Sequence, residues 1–178
     1  MDKLSHFDPE GRARMVDVSA KRVTHRTAVA SGRVIMKAET LRRIVDKEIE
    51  KGDVLGVARV AGIMAAKRTG EIIPMCHPLS IDSVEIFFRP EAKRCEVYIE
   101  TQVKSTGKTG VEMEALLATG VAALTIYDMC KAIDRGMILA DIKLMKKSGG
   151  KSGIYIRPAE KEKDLKKPGK LLYSYSKI

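Results

Sequence analysis

The chain is 178 residues long with an apolar fraction of 44%, enough to fill the core of one globular domain and too much for a wholly disordered chain. Its 33 Lys and Arg outweigh 23 Asp and Glu, and the formal charge of +10 points to an anionic partner. Three Phe, five Tyr and no Trp are few rings for gripping single strands by base stacking, so a phosphate-rich small molecule accounts for the charge better.

The N-terminal stretch MDKLSHFDPEGRAR lacks the apolar centre of a signal peptide and the acid-poor character of a transit peptide, so export is not expected. Residues 26–36, RTAVASGRVIM, mix small and β-branched side chains and predict a strand. Leu41, Ile44, Val45, Glu48 and Ile49 then recur at three and four, predicting a helix that Gly52 stops. Asp53 stands where it can cap a second helix, VLGVARVAGIMAAKR, whose Gly56, Ala58, Ala61, Gly62 and Ala65 invite the close approach of another backbone. Two prolines bracket IPMCHPL, residues 73–79, and make it a rigid loop.

Val84, Ile86 and Phe88, then Cys95, Val97, Ile99, Thr101 and Val103, alternate with polar residues, and RPEAKR joins them into a hairpin with one buried face. Thr109 and Glu112 form a capping-box pattern ahead of a helix predicted over 111–134. Its longest charge-free run, Ala115 to Tyr127, falls short of the ~20 residues that span a bilayer. Ile138, Ala140, Ile142 and Leu144 predict a last core strand. The order strand, two helices, two strands, helix, strand describes an α+β fold: a ferredoxin-like antiparallel sheet with helices packed on one face and an additional helix. A single domain is expected over 1–158, followed by a basic tail over 159–178 with six Lys against three acids. Cys76, Cys95 and Cys130 are odd in number and far apart, which suggests neither a disulfide framework nor a CxxC site, and a reducing cytoplasm is the simplest setting.

Four constellations could carry chemistry. In KLMKKSGGKSG, residues 143–153, Lys143, Lys146, Lys147 and Lys151 flank paired glycines that can present amides to an anion, against the plainer reading of a solvated basic turn. A P-loop is excluded, because Met145 stands where its first glycine belongs and IYIRP reads as extended. Asp128 and Lys131 end an otherwise apolar stripe and are either a surface ion pair or a carboxylate holding a lysine for proton transfer. Cys76 and His77 sit in the two-proline loop, with His6 and His25 showing no ligand spacing, so a metal site is not expected and His77 is either a hydrogen-bonding acid/base group or structural. Lys51, just before Gly52, would by itself pass as a favourable charge at a helix end. Glu114 and Asp128 lie fourteen residues apart, about 20 Å along one helix. A small ligand that used both would have to draw on two subunits or on a later helix start.

Taken in order, MVDVS (15–19), GIMAAKRTGEIIPMCHPL (62–79), TGVEMEAL (109–116), LTIYDMCKA (124–132) and KSGGKSG (147–153) closely resemble the MoaC family of molybdenum-cofactor biosynthesis, the cyclic pyranopterin monophosphate synthases. The resemblance runs from about Met15 to Arg157. It implies a phosphorus-oxygen lyase that takes the cyclic dihydro-GTP in which a radical enzyme has joined C8 to C3′, and converts it to cyclic pyranopterin monophosphate and diphosphate. It also implies a ferredoxin-like fold and a homohexamer, a trimer of dimers with sites at the dimer interfaces. No cofactor is required, and Mg²⁺ with the phosphates is left open. Asp128, Lys131 and Lys51 match the family's catalytic groups, and Met75, Cys76, His77, Met113 and Glu114 its substrate contacts. Asp17, Lys21, Thr109, Glu112, Lys147 and Gly149 are further pocket members that the resemblance implies. Met75 replaces a leucine common in the family, and the tail exceeds the usual family end.

Ring opening and reclosure need proton donors and acceptors near neutrality, so Lys51 and Lys131 are expected to have lowered pKa values. The Lys147 loop is expected to hold phosphate. The main alternative is a basic nucleic-acid-binding module, which explains the charge but not the scarcity of interleaved aromatics; no nucleic acid and no membrane partner is expected. A third reading, a scaffold for other cofactor-pathway enzymes, predicts no turnover by the isolated protein.

Overall fold

A computed structural model describes residues 10–158; the predicted tail, 159–178, lies outside the described residues, as does His6. The elements are β1 (Thr24–Ile35), α1 (Ala38–Val45), α2 (Val54–Lys67), α3 (Thr69–Ile72), β2 (Ser83–Glu91), β3 (Glu96–Gly107), α4 (Glu112–Cys130), β4 (Ile138–Ser148) and β5 (Tyr155–Ile156). The strands pair antiparallel throughout in the order β2-β3-β1-β4-β5. With β5 a short edge addition and α3 a single turn, this is the ferredoxin-like plan with an additional helix.

All the major packing lies on one side of the sheet. α4 lies across β1, β3 and β4, while α2 packs on β2 and along α4. Val34, Ile86, Val97 and Ile99 from the strands close on Ala58, Ala118, Ala122 and Ile126 from the helices. The small residues of α2 allow this as expected: a Cβ at Gly62 would stand 2.9 Å from the Ala118 carbonyl oxygen. By length and composition α4 could cross a membrane, but half of that stretch is buried inside the fold.

Asp53 caps α2 as read, its Oδ1 accepting the Gly56 N–H at 2.9 Å. Other boundaries differ. The first helix stops at Val45 because Lys47 turns left-handed, at φ 59°, yet Ile49 still reaches the core through the turn. α4 ends at Cys130, and Val111 is its N-cap with no side-chain hydrogen bond, so the Thr109–Glu112 capping box does not form. Cys95 occupies the hairpin turn in a left-handed conformation, φ 51°, instead of opening the strand. On β4 the strict alternation fails. Register shifts against β1 and a left-handed Asp141, φ 52°, insert a bulge, so Leu139 faces the core and Ile138 is exposed.

Candidate active site

The site residues fall at the two ends of α4. At its start, a hollow of about 340 Å³ is lined by Met75, Cys76 and His77 from the proline loop, by Lys21, and by Thr109, Glu112, Met113 and Glu114. Pro74 and Pro78 hold the loop in place, with the Cys76 N–H bonded to the Ile73 carbonyl at 3.0 Å. The His77 Nε2 donates to the Val16 carbonyl at 2.8 Å and Lys108 Nζ donates to the Ser19 carbonyl at 2.7 Å, so the segment 16–19 is drawn along the rim. These contacts bring Val16 and Val18, which the sequence did not single out, into the lining together with Leu79 and Gly110.

Asp17 does not line this hollow. Its Oδ1 accepts the Ser19 N–H and hydroxyl at 2.8 and 2.6 Å, bonds that hold its carboxyl below the usual range. Glu114, by contrast, is 3% exposed; burial pushes its carboxyl up, its own amide opposes, and the Glu112 charge adds to the rise. Burial, followed by the Glu114 charge, also raises the Cys76 thiol, which keeps it a neutral wall rather than a thiolate nucleophile.

A second hollow of about 320 Å³ adjoins the first through Lys21, Thr109, Gly110 and Glu112, and adds Arg26, Lys108, Lys147, Lys151 and Ser152. Lys147 is tied to the Ser152 hydroxyl and stands 3.5 Å from Glu112 Oε1, which gives the Glu112 carboxylate a partner other than a helix cap. Gly149 and Gly150 take φ of 98° and 73°, and a Cβ at Gly149 would stand 2.2 Å from the His25 carbonyl oxygen. The glycine turn is thereby pressed against Arg26, which is 8% exposed and donates to the carbonyls of Gly107 at 3.3 Å and Lys108 at 3.2 Å. Sequence reading missed Arg26 and Lys108; Arg26 is one of two arginines in β1, and nothing in the sequence sets it apart from Arg33, which faces a different hollow.

The other end of α4 carries a compact charged trio. Lys131 Nζ is 2.7 Å from Asp128 Oδ1, and Lys51 Nζ reaches the Asp128 carbonyl at 3.0 Å and Oδ2 at 3.4 Å. Lys51 comes from the turn between α1 and α2, so its proximity to Asp128 is a tertiary contact that spacing could not reveal. Lys131, through its hydrogen bond and charge, and then Lys51 hold the Asp128 carboxyl below its ordinary range. The expectation for Lys131 is reversed: the Asp128 hydrogen bond and charge raise its pKa. The reason is geometric, since the nearest charge is an anion and the ammonium is open to solvent.

A larger hollow, about 490 Å³, lies on the other face of the sheet and contains none of these residues. Arg33 there is committed to Glu96 at 2.9 Å and to Asp141. Among the described residues no three His, Cys, Asp or Glu side chains gather closely enough to hold a metal ion.

The MoaC family model matches residues 15–150, a span that includes both ends of α4. A cyclic pyranopterin monophosphate synthase of Heliobacterium modesticaldum is 62% identical over 157 residues, 88% of this chain and 99% of that protein. Proteins of the same name from Desulfitobacterium hafniense and Pelotomaculum thermopropionicum are 63% and 56% identical, covering 87% and 90% of this chain and 94% of each relative. Identity at this level over nearly whole chains, with the motifs in register, establishes that the chain belongs to the MoaC family.

Proposed function

We propose that this protein is a cyclic pyranopterin monophosphate synthase, a phosphorus-oxygen lyase that rearranges cyclic dihydro-GTP and releases diphosphate. The observation that carries the reading is the pairing of a lysine-rimmed cavity with a separate Lys51–Asp128–Lys131 trio, the trio and all of the cavity lining but Lys151 and Ser152 falling within the span that matches the family. The ring system enters the hollow beneath Met75, Cys76 and His77. The triphosphate lies toward Lys147 and the Gly149 turn, where ammonium groups and amides stabilise the phosphoryl centre as diphosphate leaves. Any Mg²⁺ would accompany the phosphates. Lys131, held charged by Asp128, starts as a proton donor, and Lys51 exchanges protons from the opposite side of the same carboxylate.

Fourteen residues of α4 separate Glu114 from Asp128, about 20 Å by helical rise, so one substrate molecule cannot lie against both in one protomer. A two-fold axis that sets two α4 helices side by side and antiparallel would bring the trio of one protomer to the cavity of the next. Val57, Val60 and Met64 on α2 and Leu124 on α4 support such a partner, being large apolar side chains exposed on the helix layer. The reading therefore includes a homodimer with composite sites, three of which make the hexamer, in the cytoplasm beside the radical enzyme that supplies the substrate.

The test is incubation of the purified oligomer with cyclic dihydro-GTP, without the radical enzyme, following diphosphate and the cyclic-phosphate product by mass spectrometry. Product from wild type and none from Lys51→Ala is the expected result. A folded, oligomeric wild type that gives no product overturns the reading.

A further inference from the structure

Asp134 is among the most enclosed charged side chains of the described residues, 2% exposed, and the proposed chemistry makes no use of it. Its Oδ2 accepts the Lys37 N–H at 2.8 Å and the Thr40 hydroxyl at 3.2 Å, and its Oδ1 accepts the Gly136 N–H at 3.1 Å. Lys37 is the N-cap of α1 and has no side-chain cap of its own. A carboxylate brought in from the far side of α4 therefore does the capping. Burial would raise the pKa of this carboxyl, but the bonds from Lys37, Gly136 and Thr40 outweigh it and hold the group below its ordinary range. It is charged at neutral pH.

The place of this cap matters to the trio. Asp134 stands three residues beyond Lys131, at the end of a turn in which the Ile133 and Asp134 amides both donate to the Cys130 carbonyl at 3.0 Å. The helix it caps runs directly into the 46–53 turn that carries Lys51. The two segments that meet at Asp128 are thus tied together a second time, behind the site, through one carboxylate. Cys130, the last residue of α4 and fully buried, lies within reach of both: burial and then the Asp134 charge push its thiol up to about 11, with Lys51 opposing.

We propose that Asp134 is a positioning residue: by capping α1 from the turn after α4 it keeps the 46–53 turn and the end of α4 in register, so that Lys51 and Lys131 converge on Asp128. The catalytic part of the proposal rests on reading that trio as the reacting groups. The charged or titratable neighbours are these: Lys37, the N-cap of α1, and Cys130 from α4 face Asp134, Asp128 and Tyr127 from α4 face Lys131, and Lys51 from the 46–53 turn shares the Asp128 carboxylate with Lys131 and lies near Cys130.

Two variants of the full chain test it: Asp134→Asn, which keeps the shape, and Thr40→Val, which removes one donor and leaves the carboxylate. Pulse acetylation across the alkaline range, read at Lys131 by mass spectrometry, gives the titration midpoint of that lysine without substrate. Steady-state turnover gives kcat and KM. In Asp134→Asn the Lys131 midpoint is expected to move down toward an ordinary lysine, and kcat to fall about tenfold with KM within about twofold. Thr40→Val is expected to move both in the same direction by less. An unchanged Lys131 midpoint in both variants overturns the proposal, as does an equal loss of kcat in Ile99→Val matched for thermal stability. If wild type proves inert toward cyclic dihydro-GTP, the function fails while the acetylation still decides the positioning.

Discussion

At the start of α4, Glu114 is 3% exposed and burial pushes its carboxyl up; at the end of the same helix, Asp128 is 59% exposed and two lysines pull its carboxyl down. One residue class is set to opposite protonation preferences by its surroundings. The enclosed end has the shape of a binding site without a free acid/base pair, whereas the open end has the acid/base groups without walls. Each end has what the other lacks, and on the proposed reading a second copy joins them across the apolar side chains exposed on the helix layer.

The largest effect expected is from removing one end altogether. Lys51→Ala or Lys131→Ala should lower kcat about a thousandfold while leaving substrate affinity within a few fold, measured by diphosphate release and by equilibrium binding. Glu114→Ala should lower affinity as well as rate. Mixing the Lys131→Ala and Glu114→Ala proteins after subunit exchange then tests the composite site. Random pairing gives half heterodimers, each with one intact site, so activity should return to about a quarter of wild type. No recovery from exchanged, folded oligomers would place both ends in the service of one protomer and break the comparison.

Charge recognition comes next. Lys147→Ala should raise KM about tenfold and lower kcat about tenfold, and should flatten the dependence of KM on salt, because the ammonium that both binds the phosphates and stabilises the departing diphosphate is gone. A fall in kcat without a change in KM would move Lys147 from the phosphate end to the chemistry.

The two regions were not equally legible in the sequence. The enclosed end is built largely from local features: a two-proline loop, a lysine-glycine turn and the first turn of one helix. The trio is different, since Asp128 and its C-cap neighbour Lys131 share one helix end but Lys51 reaches Asp128 from 77 residues away. The composition of the 46–53 turn does not disclose that contact. The fold was legible where apolar alternation is uninterrupted, as in β3, and misread on β4, where the bulge at Asp141 shifts the inward set from Ile138 to Leu139. The capping box failed for a related reason: Glu112 has Lys147 from another strand as a competing partner, and propensity within one segment does not count such partners.

The smallest effect expected concerns stability, and its sign is set by Glu114. Its folded pKa lies above the ordinary 4.5, so the folded protein binds this proton more tightly than the unfolded chain does. The stability contributed by the protonated group is complete below the unfolded value and is lost as pH rises through the folded one. Above the folded value, a buried negative charge close to Glu112 remains as a cost. Glu114→Gln removes that charge and keeps the shape, so it should raise the melting temperature by about 2 °C at pH above the folded value and by almost nothing in acid. Asp128→Asn at the exposed end should show no such gain, because its carboxyl is already held below its ordinary range by two lysines. Melting curves of both variants across pH would separate the two carboxylates without any substrate. If Glu114→Gln lowered the melting temperature at pH above the folded value, the carboxylate would be a satisfied structural anion and the enclosed end would have no strained charge to offer a ligand.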